Sequence, residues 1–69
     1  MPVAIVQNQN QWMESTSKRL VEEFDRNGVK YNTNWIPTIT ALIYNTKYLG
    51  AIYDPKTASI VENAMTYLT

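Results

Sequence analysis

The stretch Ile36-Pro37-Thr38-Ile39-Thr40-Ala41-Leu42-Ile43-Tyr44-Asn45-Thr46-Lys47-Tyr48-Leu49-Gly50 restricts the fold more than any other part of this chain. Isoleucine, threonine and tyrosine dominate residues 38–44, and β-branched and aromatic side chains suit a pleated, half-buried strand. Asn45-Thr46 lies at the centre, and asparagine tolerates the positive φ of the first turn position in a hairpin. Threonine is poor at the second position, so a longer or bulged loop also fits. In this register Ile39 opposes Ile52, Ala41 opposes Gly50 and Ile43 opposes Tyr48 on one face, and Leu42 opposes Leu49 on the other. The rival reading is one helix from Pro37 to Tyr53, because Ile36, Ile39, Ile43 and Leu49 roughly suit a helical period. The β-branched content and the central Asn45-Thr46 favour the hairpin.

The flanks supply further elements. Val3-Ala4-Ile5-Val6 is a short apolar run that fits a strand covered on both faces. A helix is predicted from about Gln11 to Asn27, with Asn10 as N-cap. Met13, Ser17, Leu20, Val21 and Phe24 form its inner stripe, and Glu14, Lys18, Glu22, Glu23 and Arg26 face water. Asn27-Gly28 ends it: Gly28 can take the left-handed conformation and let Val29 fold back onto Phe24. Val29 to Thr33 alternates apolar and polar residues and reads as a second strand. That makes a right-handed βαβ unit. A last helix is capped by Asp54, carries Pro55 at its first position and runs to Leu68, with Ala58, Val61, Ala64, Met65 and Leu68 inward.

The order is therefore β-α-β-β-β-α, an α/β class with a small sheet and helices mainly on one face. It resembles the thioredoxin fold, and glutaredoxins in particular. The features that carry the resemblance are the leading Val-Ala-Ile-Val strand and the helix that ends in Asn27-Gly28-Val29-Lys30-Tyr31. To these are added Ile36-Pro37-Thr38, similar to the cis-proline segment, and Asn45-Thr46-Lys47-Tyr48-Leu49-Gly50, similar to the glutaredoxin hairpin turn. The resemblance implies a cis Ile36–Pro37 bond, beside which backbone would pair with bound peptide or glutathione. It also places the family's Cys-x-x-Cys on Gln11-Trp12-Met13-Glu14, where no thiol exists, so thiol–disulfide exchange is excluded. Only Asn32 to Ile36 separate the second and third strands, too few for the family's intervening helix. One sheet face would then be uncovered and present Leu42 and Leu49.

Composition narrows function. A 69-residue chain makes one domain, residues 1–69, that buries only ~60% of its unfolded surface. Disulfides, metals or oligomerisation usually compensate in so small a domain. Without cysteine or histidine, oligomerisation or docking on a partner remains. Six basic and six acidic residues are interleaved for zero net charge, whereas a nucleic-acid binder usually carries a basic stripe. The apolar runs are too short for a membrane span. The chain reads as cytoplasmic, with no cofactor, no metal and no catalytic residues.

The expected function is a non-enzymatic protein–protein interaction or structural module on a redox-inactive thioredoxin-like scaffold, either homodimeric or docked on a larger protein. The alternatives are a glutathione- or peptide-binding relative without thiol chemistry and a small nucleic-acid-binding domain. Candidate partner-binding residues are Gln11, Trp12 and Glu14 at the start of the first helix, Trp35, Ile36 and Pro37 at the proline segment, and Leu42 and Leu49 on the open face. The competing role is ordinary packing, with Trp12 half-buried and most of the tyrosines in the core.

Overall fold

A computed structural model describes residues 2–69, with side-chain surroundings from Gln9 onward. It consists of α1 (Pro2–Arg26), a 3₁₀ turn (Thr33–Trp35), α2 (Ile36–Leu49) and α3 (Pro55–Thr66). There is no strand among the described residues. The α/β class and the thioredoxin-like reading are therefore corrected to an all-helical, three-helix fold: a thioredoxin fold requires a sheet.

α2 overturns the hairpin. Ile36, Ile39, Thr40 and Ile43 are its buried residues, and their i, i+3, i+4, i+7 spacing is that of one helical face. β-branched residues lower helix propensity by only tenths of a kcal/mol each, ~0.7 at most, whereas fully burying an isoleucine contributes ~1.5–3 kcal/mol. Packing thus outweighs the strand preference of residues 38–44. The threonines also adapt locally. Thr40 Oγ1 donates to the Ile36 carbonyl at 2.8 Å and Thr46 Oγ1 to the Leu42 carbonyl at 2.9 Å, bonds that satisfy a hydroxyl inside a helix. Asn45-Thr46 is accordingly not a turn.

The proline segment is also different. There is no cis peptide bond among the described residues, so the implied cis Ile36–Pro37 bond is corrected to trans. Pro37 stands in the first turn of α2, where its missing N–H costs no hydrogen bond and its fixed φ suits the helix. The second strand is replaced by a connector. Asn32 Oδ1 accepts from the Asn34 amide at 2.9 Å and so opens the 3₁₀ turn.

α1 is longer than expected. Val3 to Val6 lie in its opening turns rather than in a strand, and Asn10 is interior to the helix rather than its N-cap. Its far end follows the sequence closely. Gly28 has φ 70°, the Val29 amide reaches back to the Phe24 carbonyl at 2.9 Å, and the Gly28 amide to Asp25 at 3.2 Å. Those two bonds are the paired return of a Schellman cap. Gly50, at φ 65°, ends α2 in the same left-handed region.

Leu20, Phe24, Ile36, Ile39, Ile43, Val61 and Ala64 make the core. α2 is the central element, packed on both α1 and α3. It runs antiparallel to α1: Trp12 meets Tyr44 and Tyr48, while farther along α1 Ser17 Oγ donates to the fully buried Thr40 Oγ1 at 2.9 Å. Phe24 and Tyr67 then stack edge to face at 5.3 Å, joining the end of α1 to the residue after α3. With no sheet, the open sheet face disappears. Leu42 packs against the core cluster, and Leu49 is exposed at the end of α2. Among the described residues no helix is long and apolar enough to cross a membrane.

Asp54 caps α3, accepting from Thr57 Oγ1 at 2.7 Å and from the Thr57 amide at 3.4 Å. Both bonds favour the carboxylate, the side-chain one most, and hold its pKa below the ordinary aspartate value. A depressed folded pKa stabilises above the unfolded pKa, and the contribution is lost as pH falls through the lower folded value. Thermal unfolding followed from neutral to acid pH should therefore show an acid-side loss that Asp54→Asn reduces, since asparagine caps without titrating. Identical acid profiles for the two proteins would contradict this.

Candidate functional site

The C-terminal half of α2 and its exit turn gather aromatic and apolar side chains. Trp12 of α1 lies 5.4 Å from Tyr44 and 5.6 Å from Tyr48, both edge-on, and the two tyrosines lie 5.0 Å apart. Positions 44 and 48 are one helical turn apart, and antiparallel pairing brings Trp12 against both. Edge-to-face contacts of this kind contribute ~0.5–1.5 kcal/mol beyond area burial. The cluster is therefore a structural clasp between α1 and α2 as well as part of the surface.

Beside it the chain exposes large apolar residues. Tyr48 is 51% exposed, Leu49 66% and Ile52 94%. They are close in sequence because Gly50 turns the backbone out of the helix. The Gly50 and Ala51 amides both return to the Asn45 carbonyl, which ties the start of the turn to α2 while Ile52 projects outward. Lys47 Nζ lies 5.5 Å from the Tyr48 ring centroid, a weakly attractive cation–π geometry at an exposed site.

The residues singled out from the sequence do not form one surface. Gln11 and Glu14 are exposed on α1, on either side of the half-buried Trp12, and Trp12 leads to Tyr48 and hence to the Leu49 end. Trp35 and Pro37 are exposed at the opposite end of α2, ~20 Å away along a helix of this length. Ile36 between them is a core residue, and Leu42 packs against the core. The hairpin register pairs Tyr48 with Ile43 and Ile52 with Ile39 and leaves Tyr44 at the end of a strand. The helical period of Ile36, Ile39 and Ile43, carried to Gly50 as a helix stop, is the signal that places them at this end.

Elsewhere Tyr31 Oη donates to Asp25 Oδ1 at 2.9 Å. This hydrogen bond is the main cause that raises the Tyr31 pKa above its ordinary value. It ties the connector to α1 at the surface and offers no reactive group. Among the described residues no group of three or more Cys, His, Asp or Glu could hold a metal ion. No buried side-chain nitrogen or oxygen lacks a hydrogen-bond partner there. The buried polar side chains are thus satisfied within the fold, as Thr40 is by the Ile36 carbonyl and Ser17.

Comparison with known proteins found no matching family model, no matching curated protein and no matching solved structure.

Proposed function

We propose that this chain is a non-enzymatic interaction module that binds protein, first of all a second copy of itself, through Tyr48, Leu49 and Ile52. The carrying observation is the exposure of these large apolar residues within one short segment, at the margin of the Trp12–Tyr44 cluster. Exposed apolar patches rimmed by polar residues mark protein contacts more often than tolerated surface. Aromatic anchors beside them are the residue type that dominates interface energetics. Two further features favour a second copy as the occupant. Net charge is zero, so copies do not repel one another through net charge. The core of a 69-residue chain is small, and association is a common remedy for that.

The glutathione-type groove loses its basis, because the strand and cis-proline that would have built it are helical and trans. A cytoplasmic setting belongs to this proposal and rests on a cysteine-free composition, which needs no oxidising compartment.

Leu49→Glu combined with Ile52→Glu should abolish self-association and leave the fold intact, since both side chains are exposed. Surface substitutions of this kind usually alter stability by no more than about 0.5 kcal/mol. Sedimentation equilibrium over a wide concentration range, with thermal unfolding alongside, reads both effects. A monomeric unmodified protein at high concentration would refute the self-association, as would a double variant that associates as strongly.

A further inference from the structure

Asn27-Gly28 is the one place in this chain where glycine follows asparagine; Asn8, Asn10, Asn32, Asn34, Asn45 and Asn63 all precede residues with side chains. The pair matters chemically as well as conformationally. The side-chain carbonyl carbon of an asparagine is open to attack by the main-chain nitrogen of the next residue. Glycine, lacking a Cβ, neither screens that nitrogen nor restricts the backbone rotation that brings it round. Both residues are exposed, just past the end of α1.

The cap holds the reacting groups apart. Asn27 Nδ2 donates to the Glu23 carbonyl at 2.7 Å, which turns the side chain back along α1. The Gly28 amide donates to the Asp25 carbonyl at 3.2 Å, so its proton is engaged and its direction fixed. The Val29 amide closes the return on Phe24 at 2.9 Å, and the Val29 side chain packs against the core cluster. Attack at Asn27 Cγ therefore requires the side chain to release Glu23 and the Gly28 amide to leave Asp25. Helix ends of this kind open locally at a lower free energy than the whole fold.

We infer that Asn27 is a deamidation site guarded by the cap of α1, converting in the open cap and held unreactive in the closed one. In the open cap, base removes the Gly28 amide proton and the nitrogen bonds to Asn27 Cγ. The Cγ–Nδ2 bond breaks, and the side-chain nitrogen departs as ammonia after taking a proton from water. Water then opens the resulting cyclic imide at either carbonyl, giving aspartate or isoaspartate; nothing is oxidised or reduced. Neither product restores the cap. A carboxylate only accepts, so it cannot bond the Glu23 carbonyl, and its charge opposes the dipole at a helix C-terminus. Isoaspartate also lengthens the main chain before Gly28, which takes the Gly28 and Val29 return bonds out of register. Conversion is thus a one-way loosening of the contact that holds Val29 on α1.

The full chain is incubated at warm, mildly alkaline pH, once folded and once unfolded in guanidinium chloride. Peptide mass spectrometry follows the amide-to-acid conversion at each asparagine. In the unfolded chain Asn27 should convert first. In the folded chain it should convert at least roughly tenfold more slowly than when unfolded, because a minor open state of ~0.1–10% scales the rate by its own population. Val29→Ala trims the contact that closes the cap without touching the reacting pair. It should speed conversion severalfold in the folded chain and leave the unfolded rate unchanged, with helical dichroism confirming the fold. The comparison of folded with unfolded chain needs no substitution, so the outcome does not depend on the variant folding. The inference is overturned if another asparagine converts first in the unfolded chain, or if the folded rate lies within about twofold of the unfolded one. Unchanged conversion in a folded Val29→Ala chain overturns it equally.

Discussion

Ile43→Ala is expected to lower the thermal midpoint by at least about 10 °C, because it removes a branched side chain from the meeting point of all three helices. Isoleucine-to-alanine changes in a packed core cost ~2–5 kcal/mol, the lost transfer energy plus the cavity left behind. A chain of this length has only ~3–10 kcal/mol of total stability, and each kcal/mol moves the midpoint by ~4–8 °C in a domain of this size. Ile43 is buried together with Leu20 of α1 and Val61 of α3, so truncation loosens both packing interfaces of α2. Thermal unfolding by far-ultraviolet circular dichroism measures the shift. A midpoint within a few degrees of the unmodified protein would mean that Ile43 is not central to the core.

Ala41→Pro should be as damaging through the backbone. Ala41 lies in the interior of α2, where proline removes an i→i−4 hydrogen bond and its ring clashes with the carbonyl four residues earlier. That costs ~3 kcal/mol or more. α2 packs on both other helices, so breaking it should unfold the chain cooperatively rather than locally. Amide exchange should then accelerate in α1 and α3 as well as in α2. Retained helical dichroism together with unchanged protection in α1 would show that the helices are not one cooperative unit.

Several local features were legible before any tertiary structure. The Leu20–Phe24 stripe, the left-handed Gly28 with Val29 returning to Phe24, and the Asp54-Pro55 start of α3 all depend on neighbours within a turn or two of chain. The inward set of the last helix behaved likewise: Val61 and Ala64 are buried, and Met65 and Leu68 pack on the core. Trp12 was marked as a half-buried aromatic, and it is one. What could not be read was which aromatics it meets, because Tyr44 and Tyr48 were assigned to strands.

The departures from the hairpin reading share one physical origin. Residues 36–49 carry a strand-like composition and a helix-like period together, and the fold follows the period. Composition expresses intrinsic preferences of tenths of a kcal/mol per residue. The period expresses where whole side chains go, and burial contributes ~1.5–3 kcal/mol for each large apolar one. Once α2 is a helix, the hairpin, the sheet, the cis-proline and the uncovered face that would have presented Leu42 all vanish together, since each depended on the first assignment.

The sequence by itself determined the stop of α1 at Gly28, the cap of α3, the inner faces of the α1 core segment and of α3, and the absence of thiol and imidazole side chains, because these follow from residue identity and contacts near in the chain. Only the tertiary structure decided that Ile36, Ile39, Thr40 and Ile43 turn inward together as a helix. It also decided that Trp12 clasps Tyr44 and Tyr48. Those outcomes depend on the free energy of burying one helix against two others, a quantity no local window of residues contains.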